Sequence, residues 1–209
     1  MMAESKMNDF IKVLSSSEPV PGGGGASGYA AAIGMALGNM VANLTTGKKK
    51  YAQYQEEIEQ ILENGDRIAE ELMTFMDKDA EAFEPLSKAY GLPKTTEEEI
   101  AERTRIMEAA LKDASEAPLA LMEKIMEALA LILRLSEIGS RIAISDAGVG
   151  AQMCKAALNG ASLNVFINTK LMKDRQLAEA MNARADKMLA EGNQMADEAY
   201  ENVVRAIRG

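Results

Sequence analysis

The stretch from Pro19 to Tyr51 constrains the fold more than any other part of this chain. It reads PVPGGGGASGYAAAIGMALGNMVANLTTGKKKY, so two prolines and four consecutive glycines lead into a run of small and apolar residues that ends at three lysines. The pattern predicts a glycine loop followed by a helix from about Ala26 to Thr45. A glycine inside a helix costs about 1 kcal/mol relative to alanine, so the interior glycines predict close approach of another backbone or of a ligand.

The four glycines Gly22, Gly23, Gly24 and Gly25 are predicted to expose main-chain amides just before a helix begins. The first N–H groups of a helix have no intrahelical partner and lie at the positive end of its dipole, so this place suits an anion or a carbonyl oxygen. The alternative is a plain flexible connector. A dinucleotide site is not predicted, because no strand precedes the G-x-G-x-x-G pattern that runs through these glycines.

The composition excludes several classes of function. A formal net charge of −9 argues against general nucleic-acid binding. The chain has no histidine, which excludes a Ser-His-Asp catalytic triad, a Cys-His catalytic dyad and the commonest zinc ligand. Cys154 is the single cysteine, so neither an intramolecular disulfide nor a thiolate cluster can form. We therefore predict no metal site, and proton transfer by Asp, Glu, Lys, Tyr or water.

The sequence also indicates in which cellular compartment the protein is found. Its first residues, MMAESKMNDF, lack the apolar core of a signal peptide, and its longest apolar runs are interrupted by glycine, asparagine or charge. A lone cysteine fits a reducing compartment. We expect a soluble, cytoplasmic protein that binds neither membrane nor nucleic acid.

Two long helices are predicted in the middle of the chain. Apolar residues three or four apart over positions 54–83 predict the first, bent at Pro85 and ending near Gly91. A capping box in the sequence TTEEE predicts the start of the second, which continues to about Ile138 with a kink at Pro118.

The last third of the sequence is predicted to hold two more helices. The first contains Asp146 and runs to a turn at Asn159-Gly160. The segment 161–168, ASLNVFIN, has a β-like composition and is interpreted as a buried helix or an extended connector. Asp174 opens the final helix.

These elements predict an all-α protein. No linker or repeat divides residues 1–209, so we predict a single domain built as a bundle of about six helices, several of them long. Their apolar stripes exceed what one small bundle can cover, which predicts a homodimer.

Several motifs, taken in order, resemble one known family. They are PVPGGGGASGYAAAIGMAL at 19–37, NLTTGKKKY at 43–51, DAEAF at 79–83, SDAGVGA at 145–151 and GASLNVFIN at 160–168. Their order and spacing are similar to those of the cyclodeaminase/cyclohydrolase family of folate one-carbon enzymes. That family includes stand-alone methenyltetrahydrofolate cyclohydrolases and the C-terminal half of formiminotransferase-cyclodeaminase. The chain departs from the family pattern at Gly25, where many members have serine.

The resemblance implies an all-helical homodimer that binds a tetrahydrofolate derivative and uses no metal or cofactor beyond that substrate. Two activities occur in the family: hydrolysis of 5,10-methenyltetrahydrofolate to the 10-formyl compound, and cyclisation of 5-formiminotetrahydrofolate with release of ammonia. No formiminotransferase domain is attached in this sequence, so hydrolysis is the favoured expectation. A helical interaction module without catalysis is the competing hypothesis.

Asp146 and Asp79 are the candidate catalytic carboxylates. The methenyl carbon is a cationic amidinium, so hydrolysis needs a positioned water, a group that takes its proton and a donor to the departing nitrogen. Both aspartates lie among small or apolar residues, where burial raises a carboxyl pKa towards a useful value. Ser145 is expected beside Asp146. The alternatives are helix capping for Asp146 and a solvated surface charge for Asp79.

Two lysines and two asparagines complete the candidate site. Lys48 and Lys49 are expected to bind the glutamate tail of the folate or, if desolvated, to take part in the chemistry; the alternative is a favourable interaction with a helix C-terminus. Asn164 and Asn168 lie in an apolar run and are expected to bind the pterin ring. The alternative for both is hydrogen bonding to neighbouring backbone.

Overall fold

The computed structural model describes residues 2–209, which form six α-helices, two short 3-10 segments and no strand. The 3-10 segments are Met2–Glu4 and Lys49–Tyr54. The helices are α1 (Met7–Leu14), α2 (Gly23–Asn43), α3 (Gln55–Tyr90), α4 (Glu97–Ile138), α5 (Ile144–Thr169) and α6 (Arg175–Arg208). The prediction of an all-helical fold is confirmed.

Two predicted boundaries are wrong, and both errors involve glycine. α2 begins at Gly23, so the predicted glycine loop is largely the first turn of the helix. α5 passes through Asn159 and Gly160 without the predicted turn. Gly160 lies where α5 crosses α2, and a Cβ atom there would come within 2.6 Å of the Ser27 hydroxyl. Its missing side chain therefore permits close packing of the two helices. Segment 161–168 is helical rather than an extended connector, although Leu163 and Ile167 are exposed and not buried.

The other helix termini follow their sequence signals. The Thr96 hydroxyl accepts the Glu99 N–H, and the Glu99 carboxylate accepts the Thr96 N–H, which completes the capping box of α4. Asp174 caps α6 by accepting the Leu177 N–H at 3.0 Å. α3 ends one residue before Gly91.

The apolar core lies between α2 and the four long helices that surround it. α4 contributes the largest share of fully buried side chains, including Leu119, Ile125 and Ile132. Met35 of α2 and Leu72 of α3 pack into the same cluster. This core fixes the positions from which α2, α3 and α5 present the candidate site.

α2 and α5 run antiparallel in close backbone contact. A Cβ atom added at Gly34 would lie 2.8 Å from the Gly150 carbonyl oxygen, and one at Gly150 would lie 2.7 Å from the Gly34 carbonyl oxygen. Further along the same interface, Gly23 lies beside Asn164. Residue numbers thus rise on α2 as they fall on α5. The prediction that interior glycines of α2 permit close approach of another backbone is confirmed at this crossing.

The outer sides of α2 and α5 form one apolar surface, here called the α2–α5 face. α2 contains no charged residue, and the charged residues of α5 are Asp146 and Lys155, of which Lys155 pairs with Asp197 on α6. The exposed apolar residues of α5 are Val149, Leu163 and Ile167, and those at the C-terminal end of α2 are Met40 and the following residue Leu44, which also line a groove against α3. Even so, no helix among residues 2–209 is both long enough and apolar enough to span a membrane.

Candidate functional site

A small cleft of about 230 Å³ opens where the N-terminus of α2 meets α3 and the C-terminal half of α5. It is lined by Pro19, Val20, Gly22, Gly23, Asp79, Phe83, Ala114, Asn164, Ile167 and Asn168. The cleft collects five of the residues predicted from the sequence as site residues: one carboxylate, two amides and two glycines.

Asp79 is the acidic side chain of this cleft. It is half-buried on α3, and its Oδ2 atom accepts the Gly25 N–H at 3.1 Å. A Cβ atom on Gly24 would overlap the Asp79 carboxylate, so glycine at this position is what admits the acid to the helix N-terminus. The anion predicted at the glycine amides is therefore a carboxylate of the same chain. The glycines therefore do not form a flexible connector, and Asp79 is not a solvated surface charge.

Burial raises the pKa of Asp79 above its ordinary value, and the hydrogen bond from the Gly25 N–H opposes that rise in part. No cation forms an ion pair with this carboxylate among the described residues. A carboxyl group whose pKa is raised by desolvation takes and returns a proton nearer to neutral pH than a solvated one. The site thus holds a group suited to general acid–base chemistry.

Asn164 and Asn168 lie one turn apart on α5 and both face the cleft. The Asn164 Nδ2 atom donates to the Gly160 carbonyl at 3.1 Å, and the Asn168 Nδ2 atom donates to the Ala114 carbonyl at 2.8 Å. Ala114 has this free carbonyl because Pro118, four residues later in α4, has no N–H to donate. For the NH₂ group of each asparagine, the predicted alternative of hydrogen bonding to backbone is therefore correct. Within residues 2–209 neither side-chain carbonyl accepts a hydrogen bond, so both remain available to a ligand.

Asp146 and Ser145 lie at the opposite end of α5, in its first turn. Asp146 is half-buried, and its side chain caps no helix, since the N-cap of α5 is Ala143 without a side-chain bond. About 18 residues of helix separate Asp146 from Asn164, which is roughly 27 Å along the axis. Asp146 therefore lies outside the cleft of its own chain, and its catalytic role stays a prediction.

Lys48 belongs to the same distant end as Asp146. Its Nζ atom donates to the Ser140 hydroxyl at 3.2 Å, and the Ser140 N–H donates to Thr45 at 2.8 Å. Next to it, the Tyr51 hydroxyl accepts the Arg141 N–H at 3.1 Å, and this bond lowers the pKa of Tyr51. Lys49 and its neighbour Lys50 are exposed at this end.

Several cleft residues escaped the sequence reasoning. Phe83 lies one turn after Asp79 on α3 and could have been found from the helical spacing of the DAEAF motif. Ile167 lies between the two asparagines and is a large apolar side chain that is 63% exposed. Pro19 and Val20 enter the cleft only through the path of the loop, for which no sequence signal exists.

A wider groove of about 770 Å³ lies elsewhere, between α2 and α3. Its polar lining consists of Asn39, Asn43, Asp66 and Glu70, and Asn39 already donates to Asp66 at 2.9 Å. This groove holds none of the predicted site residues. The smaller cleft is the better candidate, because a buried acid and two amide oxygens converge there.

The fold and the cleft define an all-helical protein whose candidate site is a desolvated carboxylate at a glycine-rich helix N-terminus. A sequence model of the formiminotransferase-cyclodeaminase family matches residues 6–187. The chain therefore belongs to the formiminotransferase-cyclodeaminase family.

The similar proteins include a cyclohydrolase and two cyclodeaminases. Methenyltetrahydrofolate cyclohydrolase of Methylorubrum extorquens is 39% identical over 203 residues, which cover 97% of this chain and 98% of that protein. Formimidoyltransferase-cyclodeaminase of Gallus gallus is 32% identical over 88% of this chain, which spans only 34% of that longer protein. Formiminotetrahydrofolate cyclodeaminase of Thermotoga maritima has a similar structure, with a TM-score of 0.83 and 28% identity over 100% of this chain and 98% of that one.

Proposed function

We propose that this protein is a methenyltetrahydrofolate cyclohydrolase, which adds water to 5,10-methenyltetrahydrofolate to give 10-formyltetrahydrofolate. The observation that carries the proposal is the desolvated carboxylate of Asp79, which faces a cleft together with two unpaired amide oxygens. The match in both length and sequence to the cyclohydrolase of Methylorubrum extorquens supports this substrate.

The cleft suits the pterin end of a folate. A pterin presents N–H donors along one edge, and the side-chain oxygens of Asn164 and Asn168 are acceptors. Phe83 and Ile167 supply apolar surface for the flat faces of the ring. In the proposed complex the pterin lies against α5, with its reacting carbon towards Asp79.

The reaction requires the transfer of protons but no oxidant or reductant. A water oxygen adds to the amidinium carbon while one water proton passes to the Asp79 carboxylate. The carbon then loses its bond to the ring nitrogen N5, which receives the proton from Asp79. The hydroxyl on the carbon becomes the formyl oxygen and releases its proton to solvent. In the proposal no cofactor takes part beyond the tetrahydrofolate substrate.

The expected quaternary structure also belongs to this proposal: the protein acts as a homodimer. The α2–α5 face supports it, because an apolar surface formed by two whole helices is costly to leave in water. Size-exclusion chromatography with light scattering checks it, and a monomer at micromolar concentration contradicts it.

Loss of the ultraviolet chromophore of 5,10-methenyltetrahydrofolate measures the proposed activity. Purified protein should remove the chromophore faster than buffer does. Asp79→Asn should lower kcat by about 10²–10⁴-fold, the usual contribution of a general acid–base group. Asp186→Asn is the matched control, since Asp186 is an exposed carboxylate on α6 outside the cleft, and it should retain the wild-type rate. No acceleration by the wild-type protein rejects the proposal and favours a helical interaction module.

Cyclisation of 5-formiminotetrahydrofolate is the second candidate. It is favoured by the structural likeness to the Thermotoga maritima cyclodeaminase, which extends over the whole chain. The same carboxylate would donate a proton to the departing ammonia. Release of ammonia from the formimino substrate, absent with Asp79→Asn, would establish this activity.

A further inference from the structure

Arg103, in the first half of α4, is a half-buried cation without a partner. Its Nε atom is buried and donates no hydrogen bond, and its guanidinium group forms no ion pair with any of residues 2–209. Among these residues Arg134 is the other arginine that is not exposed, and it donates to both Glu57 and Glu137. A guanidinium group that is withdrawn from water without acceptors is costly, so Arg103 indicates an anion that the chain does not itself supply.

The α4 helix offers Arg103 no free carboxylate. The side chains beside a helical residue are those three and four positions away. Around Arg103 these are Glu99, Ile100, Ile106 and Met107. Glu99 is the acidic one, and its carboxylate already accepts the N–H groups of Thr95 and Thr96 at 2.8 and 3.1 Å in the capping box. The charge of Arg103 is therefore left for a ligand.

A second cation, Lys173, reaches the same part of α4. Its Nζ atom donates at 3.0 Å to the hydroxyl of Thr104, the residue that follows Arg103. The ammonium group of Lys173 forms no ion pair within the described chain, although the Lys173 main-chain N–H donates to Glu108 at 2.8 Å. Two positive charges in one neighbourhood repel each other, and carboxylates of a ligand would relieve that repulsion.

The α4 helix connects these two cations with the cleft. Ala114, which lines the cleft, and Arg103 are about three turns apart, so they lie on the same side of α4 and roughly 16 Å apart along its axis. The end of α5 and the turn after it run beside this stretch, because Asn168 donates to the Ala114 carbonyl and Lys173 donates to Thr104. A molecule that is held in the cleft and extends along α4 therefore reaches both cations.

We infer that Arg103 and Lys173 bind the carboxylates of the glutamate tail of the folate whose pterin lies in the cleft. The inference rests on the proposed function and assigns the remote part of the substrate to its own binding site. In a folate the p-aminobenzoyl group separates the pterin from the glutamate, so the carboxylates lie well outside a cleft of about 230 Å³. A guanidinium group binds a carboxylate through two parallel N–H···O bonds, and a lysine ammonium group adds a point charge.

A purely structural role for Arg103 predicts different results. The stem of an arginine can cover apolar surface, and in that case replacing the side chain would lower stability and leave KM unchanged. The binding role predicts the reverse. Arg103→Gln should be at least as stable as wild type in urea denaturation, because the variant no longer withdraws an unpaired charge from water, and its KM should rise.

Steady-state kinetics with 5,10-methenyltetrahydrofolate test the inference. Arg103→Gln should raise KM by about 10–100-fold with little change in kcat, because it removes one charge-assisted contact far from the reacting carbon. Arg103→Lys keeps the charge without the planar fork and should give an intermediate KM. Arg105→Gln is the matched control, since Arg105 is exposed and pairs with Glu102, and it should keep the wild-type KM. Equal KM values for Arg103→Gln and wild type overturn the inference.

A substrate without the tail separates the binding of carboxylates from other effects. 5,10-Methenyltetrahydropteroate has the same reacting carbon and lacks the glutamate. The wild-type protein should have a higher KM for it than for the folate, and Arg103→Gln should cause no further rise, because the contact is already absent. A rise with the pteroate as large as that with the folate contradicts the inference.

Calorimetric titration with tetrahydrofolate measures binding without turnover. Arg103→Gln should weaken this binding by about 10–100-fold, whereas tetrahydropteroate should bind the variant and the wild type equally. If the wild type accelerates neither folate reaction but shows this difference, the proposed function fails and the inference stands. If the wild type hydrolyses the methenyl compound and Arg103→Gln does so with the wild-type KM, the proposed function stands and the inference fails. A wild-type protein that binds no tetrahydrofolate overturns both.

Discussion

Replacing Gly34 by alanine tests the contact that holds α2 against α5. The new Cβ atom would lie 2.5 Å from the Cys154 Sγ atom, 2.8 Å from the Gly150 carbonyl oxygen and 3.3 Å from the Cys154 backbone nitrogen. The last two are backbone atoms of a helix, so neither moves without shifting α5 itself. Overpacking of this kind costs typically about 1–3 kcal/mol. The gain in helix propensity from glycine to alanine offsets about 1 kcal/mol. Because two of the obstacles are fixed backbone atoms, we take the upper part of the overpacking range, about 2–3 kcal/mol, and the net expectation is destabilisation by about 1–2 kcal/mol.

Gly38→Ala is the matched control one turn later on the same helix. Its Cβ atom would meet Met35 Cε and Ile132 Cγ1, both at 3.0 Å, and these are side-chain atoms that can adjust. The same gain in propensity applies, so the free energy of unfolding should change by less than about 1 kcal/mol.

Urea denaturation followed by circular dichroism measures both variants. Protein concentration must be held fixed, because the proposed homodimer would make stability depend on it. A loss of about 1–2 kcal/mol corresponds to a Tm lower by about 2–8 °C in a domain of this size. Gly34→Ala with wild-type stability, or equal losses for the two variants, would refute the explanation from backbone contact.

Four further predictions concern single side chains. Burial raises the pKa of Asp79 in the folded protein above its value in the unfolded chain, so stability falls as pH rises between these two pKa values. The variant Asp79→Asn has no such charge to bury. By urea denaturation at pH 7 it should be at least as stable as wild type, although it lacks activity. Burial raises the pKa of the Cys154 thiol to about 12, so stability should be complete below about pH 9 and fall above it, and a thiol reagent at pH 8 should react only after unfolding. Thr96→Ala should cost about 1 kcal/mol in thermal denaturation through loss of the capping box, with no effect on hydrolysis. Asn168→Ala should cost about 1 kcal/mol and raise KM, because it leaves the Ala114 carbonyl without its partner and removes a ligand acceptor; an unchanged KM would contradict the role in binding.

Local signals in the sequence determined the helical architecture. Apolar spacing of three or four, the capping box at Thr96 and Asp174 before α6 act over one or two turns, and the structure follows them. Where glycine was interpreted as a local breaker, the sequence misled, because Gly23 and Gly160 are helical. Their missing side chains are needed by neighbouring helices that lie far away in the chain.

Half of the candidate site could likewise be recognised from motifs. Residue type and apolar context marked Asp79, Asn164 and Asn168, and the structure gathers them in one cleft. The sequence could not show that Asp79 accepts the Gly25 amide, since the two residues are 54 positions apart. Nor could it show that Asn168 satisfies a carbonyl freed by a proline in another helix.

The sequence by itself determined which helices form and which residue types are available for chemistry, because propensity, capping and periodicity depend on neighbours within a few turns. Only the tertiary structure decided that Asp146 lies about 27 Å along α5 from Asn164, which lines the cleft that holds Asp79, because that separation follows from the length of a continuous α5. The tertiary structure also decided that α2 and α5 cross antiparallel at Gly34 and Gly150. Contacts between distant segments depend on how whole helix surfaces fit together, and no short stretch of sequence contains that information.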